Sequence, residues 1–236
     1  GTETATENRQ SAIANLQSAI CNLKFPSPDP VSLRPFSRLS TFAALVFLAA
    51  VPLTAQTPAV PEAPTLPQTI TRSTDGSATI RAVRVTTPMH VDGKLDEAVY
   101  ASVNPASDFI QMEPRGGETA TEKTEVWIFY DRDNVYVSFR AWESAPEKAV
   151  ANEMRRDSGN IRQGDSVGWG FDTFRDRRNA IQFESNALGA RTDGQSTNER
   201  QYNADWNPVW RVRAGTFEGG WTIEAIIPFK SIRYGP

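Results

Sequence analysis

The stretch from Gln163 to Asp193, QGDSVGWGFDTFRDRRNAIQFESNALGARTD, constrains the fold more than any other, because apolar residues recur at every second position on both sides of one charged segment. Val167, Trp169 and Phe171 alternate with Gly168, Gly170 and Asp172, which is the period of a strand with one face buried. Ile181 and Phe183 answer them on a second strand whose opposite face carries Gln182, Glu184 and Asn186. Residues 175–179 between them are charged enough to form a solvated turn. This hairpin therefore has one apolar and one polar face. Gly168 and Gly170 leave the polar face without side chains, so a neighbouring side chain, a loop or a ligand can approach the backbone there.

The rest of the folding region repeats the pattern. Residues 124–130 and 135–142 are rich in Val, Ile, Phe, Tyr and Trp and are joined by Asp131-Arg132-Asp133-Asn134, a hairpin signal. Val135, Val137, Phe139 and Ala141 are expected to face the core, with Tyr136, Ser138, Arg140 and Trp142 on the other side. Further strands are expected over residues 78–85, 109–112, 205–213 and 221–229, with turns at Asp92-Gly93 and at Glu218-Gly219-Gly220. Short helices are expected over residues 95–100, with Asp96 and Glu97 in the first turn, and over residues 146–156. The fold class that follows is all-β, an antiparallel β-sandwich of the immunoglobulin or jelly-roll kind with one or two short helices.

Upstream the chain reads differently. Residues 34–55 place two arginines before an apolar run and then small residues, the pattern of a secretory signal with cleavage after Ala55. The run is shorter than the roughly 20 residues a membrane span needs, and a stop-transfer anchor is the competing reading. No cysteine follows it, so a lipoprotein anchor is not indicated. Residues 1–33 are expected to be a non-structured upstream segment, with an amphipathic helix over residues 11–23 as the alternative. Pro58, Pro61, Pro64 and Pro67 make residues 56–76 an extended linker. The folded domain is then residues 77–236, expected to be cut off before its closing strands.

The residue inventory removes several chemistries. The formal charge of -3, close to balance, argues against nucleic acid as a partner, since such binders normally show a clustered basic face. Cys21 is the only cysteine and His90 the only histidine, so a disulfide and a Cys/His zinc site are excluded, and any nucleophile-histidine catalysis would run through His90. Asp172, Asp176, Glu184 and Asp193 offer carboxylates for glycoside hydrolysis, which needs a pair set about 5 to 9.5 Å apart. Surface carboxylates are common, so no catalytic residue is assigned. The Asp131 to Asn134 turn carries oxygen ligands of the type calcium takes, but lacks the Gly and distal Glu of an EF-hand, so a solvated turn is expected and structural calcium is the alternative. The runs at Arg155 to Asp157 and Arg175 to Arg178 read as solvated faces or internal ion pairs.

Four blocks in order, VDGKLDE, TEVWIFYDRDNVYVSFRAWES, GDSVGWGFDTFRDRRNAIQFESNALG and GGWTIEAIIPFKSIRYG, resemble the family 9 carbohydrate-binding modules. They are most similar to the version at the N-terminus of bacterial envelope proteins whose C-terminal part is an outer-membrane barrel. The resemblance covers roughly residues 78–236 and implies a β-sandwich that binds sugars at chain ends. The family's Asp-Ser pair matches Asp165-Ser166, with no aromatic in residues 160–163 before it. Its sugar-bonding Glu matches Gly168, and its Arg and Asn match Glu184 and Asn186.

Together these readings assign an exported, non-catalytic module that recognises a glycan in the service of carbohydrate breakdown, in the periplasm, outer membrane or extracellular space. A C-terminal barrel is the implied partner in the full-length protein, and no cofactor is assigned. The site residues are Asp172, Gln182, Glu184 and Asn186 on the polar face, with Trp206 or Trp210 as the aromatic platform a sugar needs. Core or edge placement is the other reading of these two tryptophans, and core placement is expected for Trp169 and Trp221. The competing function is a docking domain of an envelope barrel protein that binds no sugar.

Overall fold

The computed structural model describes residues 63–73 and 77–232. The signal segment, the upstream helix and the first part of the Pro-rich stretch lie outside the described residues. Two antiparallel hairpins dominate. Strands β4 (Thr124–Tyr130) and β5 (Asn134–Trp142) pair as expected, and so do β6 (Ser166–Phe171) and β7 (Ala180–Asn186).

Each hairpin is the seed of one sheet. Strands β10 (Arg211–Phe217) and β11 (Gly220–Pro228) form a tight hairpin around Gly219, whose φ of 91° suits glycine, and β11 pairs with β5. With the short β3 (Val83–Arg84) parallel to β4, the order of this larger sheet is β10-β11-β5-β4-β3. The smaller sheet runs β6-β7-β8-β9, where β8 is Arg191–Thr197 and β9 is Gln201–Asn203. The two pack face to face as a sandwich, so the all-β expectation holds.

The alternating residues of both hairpins meet in the core. Val137, Phe139, Val167, Trp169, Phe183, Ile223 and Ile227 are buried together, and the Phe139 and Trp169 rings lie 5.5 Å apart across the sheets. Each such side chain contributes about 1.5 to 3 kcal/mol by leaving water. Trp169 and Trp221 are core residues, as their spacing predicts.

Several elements depart from the sequence reading. Tyr136 and Ser138, expected on a polar face, are buried, because residues 83–103 fold across the outer side of the larger sheet and form a second core with Trp127 and Phe129. The helix expected over residues 95–100 is Ala98–Ser102 (α1), and the acids precede it, with Glu97 at its N-cap. Folded structure also begins inside the expected linker. Strand β1 (Ile70–Arg72) pairs with β2 (Ala78–Ile80), and Arg72 and Thr69 donate to carbonyls of Ser107, Asp108 and Asn104. Residues 109–112 make only a single bridge, between Ile110 and Thr119. The helix expected over residues 146–156 shrinks to the 3-10 turn Pro146–Lys148, because side chains take the backbone donors a helix would use. Asp165 accepts from Val150 N at 2.7 Å and Glu153 from Arg155 N at 2.8 Å.

Candidate functional site

The register of the smaller sheet lays out its outer face. Gly168, Glu184 and Thr192 form one row across β6, β7 and β8; Gly170, Gln182 and Gly194 form the next. A third row runs Ala180, Ser196 and Tyr202, the last on β9. Three of the positions in the first two rows are glycine, so the sheet backbone is laid bare at the middle of the face.

A depression of 190 Å³ sits on this face, lined by Arg162, Gly168, Gly170, Gln182, Glu184, Thr192 and Tyr202 among others. That is below the roughly 300 Å³ at which small-molecule clefts usually start, and leaves room for a group no larger than about one ring. Its side wall is Tyr202. The ring lies directly over Gly194, since a Cβ built there would fall 2.2 to 2.6 Å from ring atoms. Tyr202 remains 48% exposed.

The polar groups are fixed by one another. Arg162 comes from the 3-10 turn Gly159–Gln163, started by Ser158, whose hydroxyl accepts from Asn160 N at 3.3 Å. Its Nε donates to Glu184 Oε2 at 2.6 Å, and Ser166 lies on the other carboxylate oxygen at 3.5 Å. Burial works against the Arg162 charge, but the Glu184 carboxylate outweighs it and holds the guanidinium above its ordinary pKa. Burial pushes the Tyr202 hydroxyl up, with Arg162 opposing and Glu184 adding to the rise. Gln182 Nε2 donates to Ser196 Oγ at 3.0 Å, which leaves its carbonyl to accept from an incoming hydroxyl.

Of the residues expected to form the site, Gln182 and Glu184 do line this depression. Asn186 does not: it is 2% exposed, donates to Glu153 O and accepts from Leu188 N and Ala190 N, so it fastens the β7–β8 turn to the loop before β6. Asp172 is exposed at the β6–β7 turn, where its carboxylate accepts from the backbone N–H groups of Phe174, Asp176 and Arg177. Trp210, expected as a platform, is in the core at 1% exposure, and its Nε1 donates to Asp193 Oδ2 at 2.8 Å. Trp206 is half-buried and packs edge-on against Phe183, a core residue, 5.9 Å between centroids. The NADWNPVW segment thus folds under the sheet edge and not over the polar face.

Sequence reasoning missed Arg162, Thr192 and Tyr202. The aromatic on the polar face comes from β9, whose QYN carries no alternation.

The carboxylates do not assemble a catalytic pair on this face. Asp176 is held below its ordinary pKa, first by backbone N–H donation from Arg178 and then by Asn179, and Asp193 lies on the core side of β8, beside Trp210. In the β4–β5 turn, Asp131 accepts from Asp133 N, Asn134 N and Tyr136 Oη, so its oxygens serve the turn. No cluster of three or more His, Cys, Asp or Glu placed to hold a metal occurs among the described residues. His90 is exposed, and its backbone N donates to Glu97.

No family model matches the chain, and no curated protein matches it at a significant level. Solved structures similar to it include a family 9 carbohydrate-binding module from Caldicellulosiruptor kristjanssonii in complex with cellotriose. That structure is 16% identical with a TM-score of 0.42, over 62% of this chain and 66% of that one. A family 9 carbohydrate-binding module from the same organism in complex with glucose is 15% identical with a TM-score of 0.43, over 66% of this chain and 71% of that one. A candidate carbohydrate-binding protein from Bacteroides uniformis is 11% identical with a TM-score of 0.49, over 65% of this chain and 75% of that one.

Proposed function

We propose that the chain binds a glycan on the outer face of the smaller sheet. The observation that carries this is the exposed Tyr202 ring, seated over Gly194, standing beside a floor of Gly168 and Gly170 and next to the planar polar groups of Arg162 and Gln182. A sugar ring presents CH groups to an aromatic face and hydroxyls to planar donors and acceptors, and both are offered here within one ring's volume. The chain acts as a binding module without catalysis of its own. Export, an envelope or extracellular location, service to carbohydrate breakdown and attachment to a barrel belong to the same reading, supported by the basic, apolar and small-residue order of residues 34–55 and by the resemblance of the four sequence blocks.

A calorimetric titration of the folded chain with neutral and acidic oligosaccharides tests this. Binding that disappears in Tyr202→Ala, with the circular dichroism spectrum unchanged, is the expected result. A second reading, a docking domain that binds no sugar, is favoured by the sealing of Trp210 in the core. It would take over if the folded chain bound none of the sugars, or if Tyr202→Ala bound them all as tightly.

A further inference from the structure

Resting on that reading of the face, the geometry points to an acidic glycan as the ligand, with a uronic-acid carboxylate placed on Arg162. Among the described residues that line the depression, Arg162, Glu184 and Asp193 carry charge. Their accessibility differs sharply. The side chains of Glu184 and Asp193 are 5% and 1% exposed, whereas that of Arg162 is 53% exposed. The two acids are sealed against partners within the fold, so the charge that a ligand meets is positive. Arg162 has five N–H donors in a planar fork. Nε is committed to Glu184 and a further bond goes to Tyr202, so donors remain on a half-exposed guanidinium already held in place by two neighbours. A carboxylate matches that fork with two parallel bonds, which a hydroxyl cannot do.

The end of the sheet next to Tyr202 extends the same field. The β6–β7 and β8–β9 turns are joined there: Glu199 N donates to Arg178 O at 2.8 Å and Asn198 N to Asn179 Oδ1 at 3.3 Å. This joined rim carries Arg175, Arg177, Arg178 and Arg200, all exposed. Its three acids, Asp172, Asp176 and Glu199, are exposed too but are engaged within the rim, and against four arginines they leave it positive by one charge. Asp172 and Asp176 accept backbone N–H groups of their own turn, and Glu199 lies 3.8 Å from Arg178. Tyr202 starts within two residues of this rim, so a polymer lying on the ring and continuing along the strand direction passes the arginines. Repeated carboxylates along the polymer would meet them in turn.

The test uses the full 236-residue chain and two forms of one sugar, an oligogalacturonate and its fully methyl-esterified form, which share rings and hydroxyls and differ in charge. The expected result is that the acid binds about ten-fold tighter than the ester at low salt, and that this advantage shrinks as salt is raised to about 0.2 M. Arg162→Lys keeps a cation on Glu184 and loses the fork, so it should remove most of the advantage. The triple variant Arg175→Asn, Arg177→Asn, Arg200→Gln removes rim charge, and Asn tolerates the positive φ of Arg175 and Arg177. It should flatten the salt dependence of acid binding. Equal binding of acid and ester, both lost in Tyr202→Ala, would overturn the acidic assignment and leave the face reading standing. Binding of a sulfated oligomer in place of the uronate would overturn the carboxylate. Binding of neither sugar to the folded chain would overturn the inference together with the reading it rests on.

Discussion

Glu184 and Glu224 hold comparable places in the two sheets: each projects from the middle of a strand toward the outer face and each is nearly sealed, at 4% and 2% exposure. Their surroundings differ. Glu184 is paired with an arginine that reaches out to solvent, and the face around it stays open. Glu224 forms no ion pair with any of the described residues, although Arg213 is its neighbour across the strand pair; it accepts from Asp92 N at 3.0 Å, Gly93 N at 2.8 Å and Tyr100 Oη at 2.9 Å, and Tyr100 in turn meets Ser138 at 2.7 Å. The segment from residue 83 to residue 103 lies over it. The same residue type thus stands beside an open surface where an arginine at the edge of solvent pairs with it, and makes an internal fastening where neutral donors from a covering segment satisfy it.

The largest expected effect breaks the fastening. Glu224→Ala would leave the Gly93 N–H unpartnered in buried space, leave the Tyr100 hydroxyl with Ser138 alone and Asp92 N with His90 O alone, and open a cavity, a loss of about 2 to 4 kcal/mol in urea denaturation. An equivalent loss at Glu184, with sugar binding spared, would erase the distinction between the two faces.

Acidity probes the fastening next. Burial, with the Glu97 carboxylate adding to it, pushes Glu224 up to about 7 from its ordinary 4.5, against the pull of its three donors. The folded state therefore holds a proton more tightly than the unfolded state between those values. The contribution of Glu224 to stability is full below pH 4.5, is lost through the window up to about 7 by at most about 3 kcal/mol, and is level above it. Glu224→Gln should remove that slope from a pH series of denaturation midpoints, and a slope unchanged in the variant would place its origin elsewhere.

Two glycine substitutions sharpen the picture of the open face with smaller effects. In Gly194→Ala the new methyl group meets the Tyr202 ring. The ring is displaced because its far side is solvent, so stability should change by less than about 1 kcal/mol while glycan affinity drops about ten-fold. Gly168→Ala meets only ordinary contacts, Phe183 O at 3.8 Å and Glu184 Cγ at 3.9 Å. It should be neutral or stabilising by about 0.5 kcal/mol in thermal melts, and weaken binding a few-fold by filling the floor.

The strands legible in the sequence are those whose burial is written in apolar residues. Val137 and Phe139, Val167 and Trp169, Ile181 and Phe183 declare their face by alternation, and the hairpins follow. Strand β8 reads RTDGQST, and its buried positions are Asp193 and Gly194, so no apolar signal marks it. With β8 and β9 unseen, Tyr202 could not be placed on the polar face, and the search for an aromatic fell on Trp206 and Trp210. An indole is equally at home over a face or under it. What decided the matter for Trp210 was a buried acceptor, Asp193, from a strand that sequence pattern does not reveal. The polar half of the site was legible for the opposite reason. Gly168, Gly170, Gln182 and Glu184 stand at every second position between residues whose burial is unmistakable.

The bond from Asp92 to Glu224 spans 132 residues of chain. A ribosome adding about 5 to 20 residues per second leaves the turn at Gly93 without its carboxylate for roughly 7 to 26 s, and until then the apolar outer side of the larger sheet has no fixed cover. Such a distant closure makes the final step of folding slow relative to hairpin formation, which takes microseconds. During synthesis the chain is a set of unfinished hairpins in need of protection, and for a chain proposed to be exported, that interval is the time in which it can still be threaded unfolded.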